Sequence, residues 1–437
     1  MTQREQAAAP GSGRPHVVVI NRWRERYADY PQYIEHDRYA VTYVSTAVGL
    51  ASVPPTAAAT ALVEATDDLD AVRVAVHGLV GRFGPPAAIL ALKEDDLLVG
   101  ARLRQEWDCP GQRPHELEVF RDKGAMCAAI AKAGLPVAAF APAPHDGAVL
   151  DFAAEHGWPL IIKPRVGSSS AGVVRLDGPA DLAMIRFDGE PLLVQAFCAD
   201  PIYHVDGLFD GARVLTHRAS RYINTCLGFR TGSALGSVEV DDAVLDGVIR
   251  AWAGRFLAAL SAAPVVFHLE VFVGAAAHGR PTCTFLEVGA RTGGAEIPFV
   301  WRQVHGYDLM AAAAHIQLGR PAPPIPPVAP AGDGVAGWLL VPAPAQRPCR
   351  ITHSTPMVGR VPGLYAEVVL RPGQVLPLAD AYYEHVGGRF RFRAATSADV
   401  ERAIVETARH YRVAAEPIEQ VDALVPEGRP TAETVPG

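Results

Sequence analysis

The stretch Pro159-Leu-Ile-Ile-Lys-Pro-Arg-Val-Gly-Ser-Ser-Ser-Ala-Gly-Val173 constrains this chain more than any other. An apolar, β-branched run ends on Lys163, glycine and small hydroxyl residues follow, and apolar residues resume at Val173 and Val174. That order predicts strand, loop, strand. The Lys163 ammonium would sit at the strand end, and Gly167, Ser168, Ser169, Ser170 and Gly172 would leave backbone N–H groups free to close over phosphate oxygens. A Walker loop is excluded, because it places its lysine after the glycines and opens a helix. Taken alone, the stretch fits a hairpin with a solvated lysine equally well.

The 437 residues exceed one compact core and predict about two to four domains. Hydrophobic residues at 49% and charged residues at 20% fit a globular protein. A formal charge of −7 gives no general attraction for nucleic acid or an anionic membrane, so any basic site must be local. The six cysteines, Cys109, Cys127, Cys198, Cys226, Cys283 and Cys349, form no C-x-x-C pair. They read as reduced, mostly buried thiols, as in cytosol. Residues 1–15 lack the apolar core of a signal peptide and read as a disordered lead. No uncharged apolar run reaches the roughly 18 residues of a membrane span, so a cytoplasmic location is expected.

Along the chain, His16–Ile20, Arg38–Thr46 and Ala87–Leu92 read as strands, and Leu69–Phe83 and Asp95–Trp107 as helices. Their alternation predicts a small doubly wound α/β domain over 16–118. Asp122-Lys123 opens a further helix. Helices over Ala148–His156, Pro179–Ile185 and Ala243–Ala263 and strands over Pro191–Ala196, Tyr203–Phe209, Arg213–Arg218, Val265–Val273 and Thr282–Val288 follow. Asp210-Gly211 is a hairpin turn signal, and Ala277–Arg280 makes the bend of the later strand pair. Arg320–Gly334 is rich in Pro, Ala and Gly and reads as a linker. Ala336–Val341 and Gly363–Leu370 read as strands, Ser397–Tyr411 as a helix, and the tail after Glu416 as loosely held.

Period-two alternation places His268 and Glu270 on one face of their strand, and Glu287, Gly289 and Arg291 on one face of the next. Two carboxylates directed to one side suit Mg²⁺, which takes hard oxygen ligands and keeps positions for substrate phosphates. An ordinary surface ion-pair cluster has the same pattern.

In order along the chain stand Lys123, Lys163 before its Gly/Ser loop, an apolar strand ending in Gln195-Ala-Phe197, Glu270, and Glu287-Val-Gly-Ala-Arg291 with Gly293-Gly294. This order resembles the ATP-grasp superfamily, in which two α+β lobes close over ATP. The resemblance covers Asp122 to about Leu309. It implies an N-terminal doubly wound α/β domain (16–118), a central ATP-binding small lobe (119–200) and a large lobe (201–330), with a C-terminal α+β part of that lobe (331–437). It also implies that Lys123 and Lys163 bind ATP phosphates and that Ser168, Ser169 and Ser170 cover them. Gln195, Ala196 and Phe197 would receive the adenine, and Glu270 and Glu287 would hold Mg²⁺, as two ions, with Mn²⁺ as a substitute. Arg291, Gly293 and Gly294 would stabilise phosphoryl transfer and the acyl phosphate.

Within that superfamily, Tyr203-His-Val-Asp-Gly207, His268-Leu-Glu270 and Gly306-Tyr-Asp-Leu309 resemble the L-amino-acid (dipeptide) ligase branch. This implies a small-molecule carboxylate and an amine, joined as an amide with release of ADP and phosphate, in an enzyme that is often a homodimer. Arg218, Arg221 and Arg230 are candidates for a substrate carboxylate, and His204 and His268 for orienting substrate, although solvation or a core hydrogen bond explains each. The sequence departs from the family pattern at Gln195, where glutamate is usual, at Gly289, where asparagine is common, and at Ile202, near the usual ribose-binding acid. A biotin-carboxylase-like or purine-biosynthesis ligase and a non-catalytic nucleotide-binding regulator are the competing readings.

Overall fold

The computed structural model describes residues 13–23, 27–275, 279, 281–326, 334–378 and 386–419. The lead over 1–12, most of the 277–280 bend, the linker over 327–333 and the tail from 420 lie outside the described residues. Two compact units are present, Met1–Glu118 with Leu309–Pro324, and Val119–Asp308 with Ile325–Gly437.

In the first unit, β1 (His16–Asn21), β2 (Ala40–Ser45), β3 (Ala59–Leu62) and β4 (Pro86–Ala91) form a parallel sheet in the order β3-β2-β1-β4. The apolar run of β1 is buried on both faces, as a covered parallel sheet requires. Val18 and Ile20 join Val72, Val76, Val99 and Leu103 on one side, while Val17 and Val19 join Tyr43, Leu90, Met310 and Ala314 on the other. Burying one such side chain is worth about 1.5–3 kcal/mol. Strand β3 was not anticipated: Ala-Thr-Ala-Leu carries little β-branching, and it lies at the sheet edge, half-exposed. Residues 309–324, expected in the second lobe, cluster instead with this unit. The physical reason is that Met310, Ala314 and Leu318 complete its core and the Gln317 amide bonds both backbone groups of Ala91, at 2.8 and 2.9 Å.

The second unit begins with the helix Lys123–Lys132, capped by Asp122, whose carboxylate accepts from the Gly124 and Ala125 amides. Strands β5 (Phe140–Pro142), β6 (Leu160–Pro164), β7 (Val174–Leu176) and β8 (Leu192–Ala196) form a four-stranded antiparallel sheet in the order β5-β8-β6-β7. Leu160, Ile162 and Val194 face the helix Asp146–His156 through Val149 and Phe152. Alternation therefore turns Ile161, Lys163 and Gln195 to the opposite face. The expected helix at Pro179 is a 3₁₀ turn, Pro179–Met184.

An eight-stranded sheet follows, built from β9 (Ile202–Phe209), β10 (Val214–Ile223), β11 (Leu235–Glu239), β12 (Val265–Ala275), β13 (Pro281–Gly289), β14 (Val335–Pro342), β16 (Leu364–Val369) and β18 (Val386–Ala394). Its order is β13-β12-β9-β10-β11-β14-β18-β16. Strands β15 (Cys349–Ser354), β17 (Val375–Leu376) and β19 (Val413–Pro417) form a separate small sheet. The β9–β10 turn is the expected one: the Asp210 carboxylate accepts from the Ala212 and Arg213 amides, and Gly211 adopts φ 98°. Leu269, its partners Val205 and Val288, and Val271 point to one side of the large sheet and are buried. The other side is polar.

Candidate active site

The pairing register builds that polar face strand by strand. Glu270 lies directly opposite Glu287 on one side and His204 on the other; His268 lies opposite Gly289 and Asp206; Asp206 lies opposite Arg218. The two glutamates thus stand on one face, as the alternation predicted. Like charges directly opposite on a sheet repel. Part of that repulsion is offset by Lys123, whose Nζ is 3.8 Å from Glu287 Oε2, and by His268, whose Nε2 is 3.6 Å from Glu270 Oε1. Tyr222 donates to Glu270 at 2.9 Å. Burial opposes ionisation of Glu270, yet the His268 and Tyr222 bonds hold its carboxyl below the ordinary glutamate range. Two ionised carboxylates side by side are hard donors that suit Mg²⁺, so the residues present fit the metal.

Lys163 closes the site from the smaller sheet. It is 3% exposed, and among the described residues no hydrogen bond or ion pair to its ammonium is formed. Burial therefore depresses its pKa, against the pull of Glu287. A buried ammonium without a counter-ion is costly, and an anionic ligand is the ordinary remedy. Gln195, on the same face, also has a buried amide nitrogen, Nε2, with no hydrogen-bond partner among the described residues. Phe197 lies just past the strand end and stacks on the Arg175 guanidinium, 4.5 Å from its ring centre.

The glycine–serine loop is held at three points. Arg165 grips Asp122 through two hydrogen bonds, at 2.9 and 2.5 Å; Lys123 Nζ donates to the Gly167 carbonyl at 2.9 Å; and Arg230 Nη1 donates to the Ser169 carbonyl at 3.0 Å. Ser169 and Ser170 adopt φ of 54° and 53°, left-handed values uncommon for residues with a Cβ.

The three candidate carboxylate-binding arginines separate. Arg221 is spent on Glu401 at 2.7 Å and Arg230 on the loop carbonyl. Arg218 donates its Nε to His305 Nδ1 at 3.3 Å, and among the described residues forms no other hydrogen bond or ion pair. His305 in turn donates to Glu239 at 2.6 Å. Of the two glycine amides expected to face phosphate, that of Gly293 is committed to Asp206 Oδ1 at 3.2 Å. It is thereby withdrawn from the substrate side, whereas space around Gly294 is open.

His204 and His268 prove to be hydrogen-bonded together. Asp206 accepts from Nδ1 of both, at 2.6 and 2.9 Å, and the far side of the His204 ring bonds Ser237 Oγ at 2.6 Å. These three groups approach closely enough to hold a metal ion, but each Nδ1 already carries a proton to Asp206. Burial opposes charge on Asp206, yet the two imidazoles hold it well below the usual carboxylate range. Burial likewise opposes protonation of His268, and Asp206 overcomes it, lifting the ring to about 9.

The helix Ile297–Val304 lies over this face and leaves a cavity of ≈ 10 Å³, lined by Asp206, Arg218, Ser237, Val300 and Trp338 among others. That is room for about one water. Just ahead of the helix, Glu296 forms a buried ion pair with Arg391 at 2.7 Å, and Arg391 bonds Gln303 at 2.6 Å. Sequence reasoning missed Asp206, Tyr222, Glu239, Glu296 and Arg391. For Asp206 a signal was present, since it falls two residues after His204 on the same strand face.

No protein-family model matches the chain. A D-alanine–D-alanine ligase of Streptomyces griseus is 29% identical over 161 residues, 35% of this chain and 36% of that one. The matched segment thus spans about a third of that curated relative, and 22% of a second, uncharacterised one from Sinorhizobium fredii. Among solved structures, an L-amino acid ligase from Bacillus licheniformis superposes with a TM-score of 0.70 at 17% identity, covering 92% of this chain and 98% of its own. The chain has the ATP-grasp fold. Another ATP-grasp neighbour is N5-carboxyaminoimidazole ribonucleotide synthetase from Thermotoga maritima, with a TM-score of 0.64, 13% identity and coverage of 92% and 100%. A third is the biotin carboxylase domain dimer of Hydrogenobacter thermophilus 2-oxoglutarate carboxylase, solved with MgADP and bicarbonate, with a TM-score of 0.61, 16% identity and coverage of 92% and 90%. Among the described residues, no helix is long and apolar enough to cross a membrane.

Proposed function

We propose that this chain is an ATP-dependent carboxylate–amine ligase that joins an amino-acid-like carboxylate to an amine through an acyl phosphate, releasing ADP and phosphate. The observation that carries the reading is the buried, unpaired Lys163 ammonium facing the same site as the Glu270–Glu287 carboxylate pair. Lys163 has no ion pair of its own among the described residues, and the charge of the two carboxylates is only partly offset by Lys123 and His268. MgATP would supply an anion to the first and a cation to the second.

Lys163 and Lys123 would bind phosphate oxygens, the 167–172 loop would cover them, and Gln195 would meet the adenine. Glu270 and Glu287 would hold Mg²⁺, which offsets charge on the phosphates when bound. A substrate carboxylate oxygen then attacks the γ-phosphorus and ADP leaves with the bond electrons. The amine attacks the acyl carbon, phosphate departs, and the amine loses a proton. Arg291 would stabilise charge on the transferring phosphoryl group. Of the three arginines considered for a substrate carboxylate, Arg218 fits that role, because its Nε is fixed and its remaining donors are uncommitted.

The test follows the order of events. ATP, Mg²⁺ and the carboxylate substrate alone should form acyl phosphate, so hydroxylamine added without any amine should yield a hydroxamate from an amino-acid pool. Arg291→Met, which keeps most of the stem and loses the charge, should bind ATP and yield little. Equal hydroxamate from parent and variant would reduce Arg291 to a structural role. ADP release that requires bicarbonate instead of an amino acid would move the chain to the carboxylase-type reaction.

A further inference from the structure

A chain of four hydrogen bonds and one ion-pair contact, His268 to Glu270 at 3.6 Å, crosses four strands of the large sheet. It runs from Ser237 on β11 to His204 and Asp206 on β9, then to His268 and Glu270 on β12, and ends at Tyr222 on β10. Its centre is Asp206, whose side chain is 1% exposed. One oxygen takes His204; the other takes both His268 Nδ1 and the Gly293 amide. Since a carboxylate only accepts, Nδ1 of each ring carries a proton toward Asp206. This arrangement also turns His268 Nε2 toward Glu270.

The loop Arg291–Gly294 is drawn in against this centre. A Cβ on Gly293 would lie 2.3 Å from Asp206 Oδ1, 2.6 Å from Ile297 Cδ1 and 2.9 Å from His268 Nδ1. Glycine is therefore required at 293 for close approach, and its amide is the group approached. Ala295, just beyond, adopts a left-handed φ of 51°. A residue with a Cβ holds that conformation when its surroundings over-determine it.

We infer that Asp206 is a positioning residue: it fixes the Arg291–Gly294 loop and the His268 ring together, so that Arg291 and the Gly294 amide meet the reacting phosphoryl group and Glu270 meets the metal in one set geometry. Asp206 is buried and both its oxygens are taken by His204, His268 and the Gly293 amide. It acts by tying two reacting elements from different parts of the chain to one buried carboxylate, because misplacement of about 1 Å near a reacting group can cost about 10²-fold in rate. The kinetic part of this inference rests on the ligase reading above, and the loop-ordering part does not.

Three variants and two readouts test it. In Asp206→Ala both oxygens are lost. The hydroxamate-forming kcat should fall about 100-fold with the ATP KM within about 3-fold of the parent, and amide hydrogen exchange in the peptide spanning 289–296 should rise about 10-fold. Asp206→Asn keeps one acceptor oxygen for the loop, so it should recover about 10-fold of the lost kcat, with exchange between parent and Ala variant. Ser237→Ala removes only the far link and should stay within about 3-fold of the parent in both readouts. Should the Ala variant not fold, the Asn variant decides through the 289–296 exchange. A folded Asp206 variant with parent-like exchange in that peptide overturns the inference. So does a fall in kcat matched by a proportional rise in the ATP KM and faster exchange in the distant helix Ala243–Leu260, which would make Asp206 a general scaffold. A parent that forms no hydroxamate from any amino acid sinks the ligase reading, while the exchange measurement still decides the role of Asp206.

Discussion

Two aspartates are equally hidden in this molecule and behave oppositely. Asp96 follows strand β4 in the first unit. Its Oδ1 accepts from Thr66 at 2.9 Å and lies 3.7 Å from Arg22 Nε, and its Oδ2 has no hydrogen-bond partner among the described residues. Burial wins over those weak supports and pushes the carboxyl up to about 6. Asp206, with two imidazoles and an amide at 2.6–3.2 Å, is held ionised despite its burial. Depth therefore does not set the charge state; the number and closeness of donors do. The same contrast separates the two sheets. The parallel sheet buries apolar runs on both faces and is built for stability, whereas the large sheet gives one face to charge, an arrangement stabilised only where each group finds a partner or a ligand.

If the polar face serves chemistry and the parallel sheet serves stability, the largest effect belongs to Lys163. Lys163→Ala should lower ATP-dependent turnover by about 10²-fold or more, while the melting midpoint stays level or rises, because an uncompensated buried charge is removed. Near-normal turnover would take this lysine out of the site.

Next in size is the carboxylate pair. Glu287→Gln should raise the Mg²⁺ concentration for half-maximal activity by about 10-fold, and Glu270→Gln by less, because Glu287 faces both lysines while Gly289 offers no ligand. Titrating activity against Mg²⁺ checks this; curves that match the parent's in both variants would reject the metal assignment.

The smallest effect is read on Asp96. Its folded pKa of about 6 exceeds the free value of 3.8, so between those values the folded state holds a proton that the unfolded state has released. Stability should therefore increase as pH falls from 7 to 5, by about 1 kcal/mol from this group. Unfolding of the parent and of Asp96→Asn across that range isolates the contribution, which is absent from the variant. A pH dependence that survives Asp96→Asn would place its origin elsewhere.

Much of this architecture was legible because local pattern and tertiary environment agree. The continuous apolar run His16–Ile20, the Asp122 cap and the Asp210-Gly211 turn all read correctly, and alternation alone put Glu270 and Glu287 on the working face. What escaped was set by non-local pairing. Strands β11 and β18 are short or charged and become core only beside β14. Arg391, on paper a solvated residue in Arg-Phe-Arg-Phe-Arg, is buried because Glu296 meets it from 95 positions away. Asp206 looked like a strand polar residue, since its partner Gly293 lies 87 positions downstream.

The Gln317 side chain that closes over Ala91 has a consequence for what the first unit needs in order to hold together. Two hydrogen bonds from a residue 226 positions downstream finish the edge of a sheet that begins at His16. A fragment cut at Glu118 would leave that backbone edge and the apolar patch beneath Met310 and Leu318 facing water. The sheet that starts at His16 is therefore sealed only when the segment ending at Pro324 is in place, so its stability depends on residues more than 200 positions downstream.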